Sequence, residues 1–454
     1  MKKLSLILLL TLLGCTASAQ YELSPAQQPI SEPDSLWRMS SLEVVAAVLK
    51  HNFDIEIAQD NIRLAALNNN WGETGRYPSI DMSIGSQNSY TNENNPASVF
   101  GTAEILSADI QGSLEANWRI FGGLQTYINK QRLELLEKQS RGNADLVIQN
   151  AVQAALVEYQ NALIAKVQYN VLQEAATFSK ERLGFTKTKE DIGTVSSFVT
   201  LQDELAYQAD QTNTLQQQLN YRDALRKLNQ LMGREPTAPL ELTDTLTVDT
   251  TRFDYDDLKA LLAENPDLEL EFINLELQKR QLQLERRDRL PTLDLSTGGS
   301  RSYNYGDLSS EQFNRTGYGD SYRFFANFTL SFNIYNGGQA SRDIEEAVIN
   351  TKIARTNIRQ VRHQLTHELA TALDRYLVQL EILKLSQGRL KNARKNLRLA
   401  KERYEGGLIN TFDFREIQLE QLRAEQVRLE SIQALKVTQL NLLRLTGRIL
   451  PEDR

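Results

Sequence analysis

Few side chains in this sequence could carry covalent chemistry, and their spacing argues against it. There are three histidines, at positions 51, 363 and 367. His363 and His367 lie four apart, as two zinc ligands on one helical face would, but the intervening Gln-Leu-Thr lacks the glutamate that activates water in such sites. They read as an incidental polar pair. Cys15 is the one cysteine, so no structural disulfide can form. No nucleophile elbow and no phosphate loop occurs, and Gly122-Gly123 and Gly298-Gly299 are strand-end glycines too isolated for a nucleotide fingerprint. Lys and Arg in the helical stretches, such as Arg389-Leu-Lys391 and Arg394-Lys395, alternate with acids and read as a solvated face. The sequence predicts no enzyme, no metal site and no cofactor. A net charge of −7 and a pI near 5.4 also argue against nucleic acid, which would require a basic face.

The elements around these residues are organised by an internal duplication. Asn52-Phe53-Asp54 and Asn265-Pro266-Asp267 are 213 residues apart, Phe121-Gly122-Gly123 and Asn336-Gly337-Gly338 are 215 apart, and Met232-Gly233-Arg234 and Thr446-Gly447-Arg448 are 214 apart. A period this long duplicates a large unit rather than a short solenoid repeat. The predicted order is a signal peptide over 1–19, an irregular leader over 20–41, repeat one over 42–239, a linker over 240–255 and repeat two over 256–454. Lys2-Lys3, the apolar run Leu4 to Leu13 and Ala17-Ser18-Ala19 form the signal peptide with its cleavage site. Leu12-Leu13-Gly14-Cys15 also resembles a lipoprotein box, which makes Cys15 a candidate lipidation site, although cleavage after Ala19 would remove it with the signal.

Each repeat opens on a lead-in helix, about 43–77 and 256–290. Two alternating strands follow, about 79–90 and 110–121 in the first copy and about 292–300 and 324–335 in the second. Ile80, Met82 and Ile84 alternate with Asp81, Ser83 and Gly85; Phe328, Leu330, Phe332 and Ile334 alternate with Asn327, Thr329, Ser331 and Asn333. Strands with one polar face fit a soluble half-buried sheet singly; four in an exported chain fit a membrane barrel with a wet lumen. Four strands cannot close a barrel, since an open edge in lipid leaves backbone groups unsatisfied. Subunits must therefore pool strands, two chains giving eight and three giving twelve.

The remainder is helix. Leu124 to Ile192 and Gln339 to Gly406 run without proline, each reaching about 100 Å if continuous. Return helices follow the tips near 193 and 407. Ile148, Val152, Ala155, Tyr159 and Ala162 step by 4, 3, 4 and 3, a narrow coiled-coil seam that suits a water-filled tube with helical walls better than a solid bundle. The predicted fold class is mainly α with a small β part: duplicated long coiled-coil hairpins forming a tube, and four strands contributed to a shared barrel.

These parts in this order resemble the TolC family of outer-membrane efflux proteins. The opening Leu42-Glu43-Val44-Val45-Ala46-Ala47-Val48 looks like that family's N-terminal helix signature, and the paired tips are the most specific match. The resemblance implies a homotrimer in outer-membrane lipid, with a twelve-stranded barrel on a periplasmic tube. It implies that a periplasmic adaptor (membrane fusion protein) and an inner-membrane pump of RND or ABC type dock at the tips. Ile192-Gly193-Thr194 and Gly406-Gly407-Leu408 match the family's adaptor-contact tips, which assigns Gly193, Thr194, Gly407 and Leu408. The family's gate pattern falls on Tyr404, Gly407, Asp413 and Glu416, with rings of carboxylate at the narrow end. Glu416 stands where the pattern has aspartate, Arg415 sits beside it, and Val199 occupies the position of Asp413 in the first copy. The implied function is an exit duct of a tripartite efflux or type I secretion system. The alternative is a periplasmic coiled-coil scaffold or adaptor without a pore.

Overall fold

The computed structural model describes residues 36–94, 102–248, 250–310 and 314–449. The signal segment and Cys15 lie outside the described residues. The chain is mostly helical with a small sheet part. The leader ends in β1 (Trp37–Met39); repeat one comprises α1 (Ser41–His51), α2 (Phe53–Asn68), β2 (Ser79–Asn94), β3 (Thr102–Gly122), α3 (Gln125–Asp191) and α4 (Ser197–Leu231); the linker opens with β4 (Leu240–Leu242). Repeat two comprises α5 (Tyr255–Leu261), a 3-10 turn (Leu262–Glu264), α6 (Pro266–Arg287), β5 (Thr292–Ser310), β6 (Asn314–Ser331), α7 (Gln339–Glu405) and α8 (Thr411–Leu445).

The two lead-in stretches are each broken, and an asparagine makes the break. Asn52 ends α1, and its side-chain oxygen accepts from the amides of Asp54 and Ile55 at 3.0 and 3.2 Å, which caps α2. Its amide nitrogen then donates to the Leu231 carbonyl, 2.9 Å away at the end of α4. Asn265 does the same in the second copy: it caps α6 and donates to the Leu445 carbonyl of α8 at 3.0 Å. One buried side chain thus joins the end of a return helix to the start of a lead-in helix. The long helices α3 and α7 are continuous, each of 67 residues, and each packs along its return helix in one part and its lead-in helices in another.

Two matching cores sit where the rods are joined. Ala155, Tyr159 and Ala162 of α3 are fully buried against Val44, Val48, Leu228 and Met232, while Val152 is buried against Val45 and Ile449. In repeat two Leu369 and Tyr376 pack with Ile432, Leu435 and Leu442. Each buried tyrosine keeps its hydroxyl satisfied, Tyr159 donating to the Met39 carbonyl at 3.1 Å and Tyr376 to the Thr251 carbonyl at 2.7 Å. The end of the supposedly irregular leader is a strand: Trp37, Arg38 and Met39 pair in parallel with Leu240, Glu241 and Leu242, tying the N-terminal segment to the linker. Three residues are too short for alternation to register in a sequence.

The four long strands form one antiparallel sheet in the order β2-β3-β5-β6. They extend beyond their alternating cores, to Asn94, Thr102, Ser310 and Asn314, while β6 ends at Ser331 short of Tyr335. In the extensions Gly, Ser, Asn and Asp interrupt the alternation, with Ile105, Leu106, Tyr303 and Tyr305 scattered among them, and backbone pairing continues across the interruptions. One face carries Ile80, Met82, Leu114, Trp118, Leu295, Phe324 and Phe328. The other is hydrogen-bonded across strands: Ser83 to Ser113 at 2.7 Å, Glu115 to Ser296 at 2.8 Å, and Arg119 to Asp294 at 2.9 Å. Both faces are exposed in the single chain, and among the described residues neither β2 nor β6 has a partner on its outer edge.

Candidate functional site at the helical tips

The two tips share a backbone. In the first, the amides of Gly193 and Thr194 donate to the carbonyls of Glu190 and Lys189 at 2.8 and 2.9 Å. In the second, those of Gly407 and Leu408 donate to Tyr404 and Arg403 at 3.1 and 2.8 Å. This crossed pair satisfies the last helical carbonyls and requires a left-handed residue, supplied by Gly193 at φ 75° and Gly407 at φ 70°. A Cβ at either glycine would meet nothing within 4 Å, so backbone conformation alone selects glycine there. All four tip residues singled out in the sequence are exposed, and Leu408 is 77 % exposed.

The acids of the second tip lie just beyond. Asn410 caps α8 by accepting from the Asp413 amide at 2.9 Å, which fixes Asp413 in the first turn. The carboxylates of Asp413 and Glu416 are exposed and form no ion pair among the described residues. Tyr404 is turned inward: its ring stacks on the buried Phe414 at 5.0 Å between centroids, and its hydroxyl lies 3.4 Å from Thr411. The three sequence-assigned residues share one tip but not one cluster.

Arg415, between the two acids, holds the main contact. It reaches to repeat one and grips the Asp210 carboxylate with two hydrogen bonds of 2.6 and 2.7 Å. Ser179 donates to the same carboxylate at 2.5 Å, and Gln418 accepts from Arg415 at 3.1 Å. One layer closer to the tip, Asp203 accepts from Thr186 at 2.6 Å and lies 3.0 Å from Arg182 Nε, ion-pair distance without hydrogen-bond alignment. Both side chains of that pair are 2 % exposed or less. Arg182 is completed by Gln418 Oε1 at 3.5 Å and by the Phe414 ring, 5.9 Å from its guanidinium. Sequence reasoning missed this network. Its signal was present: Ser179, Arg182, Thr186, Asp203 and Asp210 are polar residues at seam positions, where a coiled coil otherwise places apolar ones.

Residues 258–448 match the family of outer membrane efflux proteins. The match contains the α5–α8 repeat with its tip and both of its strands. The family describes channels, a class without assigned catalysis. No match is found among curated protein sequences. The fold of the whole chain is similar to solved outer-membrane channels. The CmeC channel of Campylobacter jejuni is 18 % identical with a TM-score of 0.70, over 91 % of this chain and 87 % of that one. The open-state MtrE channel of Neisseria gonorrhoeae is 14 % identical with a TM-score of 0.68, over 91 % and 90 %. VceC of Vibrio cholerae is 14 % identical with a TM-score of 0.62, over 90 % and 96 %. Among the described residues no helix is long and apolar enough to cross a membrane.

Proposed function

We propose that the protein is a passive exit duct: three copies pool their strands into a twelve-stranded barrel in the outer membrane, and their hairpins form a tube across the periplasm. The open sheet carries this reading. It has one apolar and one hydrogen-bonded polar face, both exposed, and two unpaired edges that lipid would not tolerate. A row of exposed apolar residues on α4 (Phe198, Leu201, Leu205, Leu215 and Leu219) supports packing against further copies. An adaptor and an inner-membrane pump supply the energy, and Gly193, Thr194, Gly407 and Leu408 are the tip positions they meet. Efflux and type I secretion are both duties of such a duct, and the pump decides between them.

The gate is assigned to the second tip. Three copies of Asp413 and Glu416 set free carboxylates around the narrow end, while Tyr404 anchors the helix turn beneath them. Opening splays the tips. Currents across a planar lipid bilayer test the duct, with small, stable conductance expected of the purified protein. Absence of channels, together with release from membranes in a carbonate wash, would leave a periplasmic scaffold instead. Asp413→Ala enlarges the leak conductance if the acid ring constricts the entrance; unchanged conductance removes that assignment.

A further inference from the structure

Two arginines are stacked on aromatic rings at opposite ends of the apolar face of the sheet, and only one of them has an acid. Arg301 is in register with Gly112 and Ile84 on that face. Its guanidinium lies 4.6 Å from the Tyr303 ring and donates to the Asp320 carboxylate at 2.8 and 3.2 Å. Arg76 precedes β2 at the helical end, and its guanidinium lies 4.5 Å from the Trp71 ring. Trp71 is held edge-on by Tyr127 at 5.5 Å, and the Trp118 ring nitrogen donates to the Arg76 carbonyl at 3.0 Å. Arg76 is exposed and has no ion-pair partner among the described residues. A second cation near Trp71, Lys130, is already bonded to Glu134 and Asn69, while the exposed Glu73 pairs with neither cation. We propose that Arg76 binds the phosphodiester of an anionic phospholipid whose acyl chains cover Trp118, Leu114, Met82 and Ile80. The proposal rests on the duct reading, which puts this face in lipid.

Position identifies the anion as a lipid phosphate. Six residues of β3 separate Trp118 from Gly112, about 20 Å along the strand, and Arg76 follows Trp118 toward the helices. The two arginines therefore bracket a band close to the ~25 Å that a barrel shows to lipid. A phosphate joined to chains on that band arrives at the height of Arg76. Stacking on Trp71 occupies the flat face of the guanidinium and leaves its N–H edge for the phosphate oxygens. Charge selects the headgroup: a zwitterionic one would bring its own ammonium to a place that already holds Arg76 and Lys130. The second copy has no such site. There Leu284 stands 213 residues after Trp71, and Arg289, 213 after Arg76, donates to Ser341 at 2.8 Å. Each chain thus binds one headgroup in this way, on the periplasmic side of the sheet.

The test uses the full-length protein in detergent micelles, with its bilayer conductance recorded on the same preparation. Trp71 and Trp118 are the reporters, and Trp37, the third tryptophan, lies in the separate β1-β4 sheet and gives a constant background. Phosphatidylglycerol with brominated acyl chains is expected to quench the fluorescence at about fivefold lower mole fraction than brominated phosphatidylcholine. Arg76→Gln is expected to remove that preference, and Arg289→Gln, at the matching position of the other copy, to keep it. Equal quenching by the two lipids in conducting protein overturns the site and leaves the duct, as does quenching by neither. A preference for phosphatidylglycerol without conductance keeps the site and removes the duct. A preference that survives in Arg76→Gln overturns the assignment. Inorganic phosphate that abolishes the preference at constant ionic strength also overturns it, in favour of a small anion.

Discussion

The two hairpins have the same backbone and opposite chemistry. Both pair a 67-residue helix with a 35-residue one, and both turn on a left-handed glycine with the same two hydrogen bonds. Below the turn they diverge. Hairpin one buries two carboxylates below its tip, Asp203 and Asp210, whereas hairpin two sends Arg415 across to meet one of them, exposes Asp413 and Glu416 at its tip and buries Glu425 farther along α8. Duplication supplied two superimposable frames, and divergence put the two halves of an ion pair on different frames. The tie therefore forms between hairpins, where it fixes their relative position, and not within one, where it would be redundant with the seam.

The strongest way to break this comparison is at the innermost pair. Asp203→Ala leaves the Arg182 charge buried without a counter-ion and should cost about 3–5 kcal/mol, seen as faster hydrogen exchange in the amides of α4. A cost confined within experimental error would mean that Asp203 is not the counter-ion. Next is the tie between frames. Arg415→Ala and Asp210→Ala should show a coupling of about 1–3 kcal/mol in a double-mutant cycle, and the charge-swapped pair Arg415→Asp, Asp210→Arg should recover part of the single losses. Additive losses would show that the hairpins are held by packing alone.

Two smaller predictions separate what the frames share from what they do not. Gly193→Ala and Gly407→Ala should each cost about 1–2 kcal/mol, and by the same amount, because only the φ angle is at issue in either tip. Unequal losses would point to a contact present at one tip only. Asn410→Ala should cost about 1 kcal/mol, since its side chain caps α8, while Ser196→Ala should be close to silent, since Ser196 makes no side-chain cap to α4. Thermal melting of the four variants checks both.

Much of this was legible locally. The alternation of Ile80, Met82 and Ile84 with Asp81 and Ser83 describes both faces of β2, and Gly193 and Gly407 mark the turns to the residue. Strand ends were not legible, because beyond Tyr90 or Ser300 the ladder continues through mixed polar and aromatic residues that sustain no regular alternation. The break at Asn52 was hidden for a different reason: a helical pattern continues on both sides of it, and its partner, Leu231, is 179 residues away. Arg415 read as a departure from a motif because Asp210, which explains it, lies 205 residues earlier in the other copy.

The unpaired edges of the sheet also determine what stability can mean for this chain. If the edges close against further copies, as proposed, the folded form is a product of association and its free energy includes the protomer concentration. A melting temperature measured at one dilution then describes that dilution only, and it rises with the amount of protein present. Surplus subunits remain a hazard, because the edge that waits for a neighbour can pair with any exposed strand.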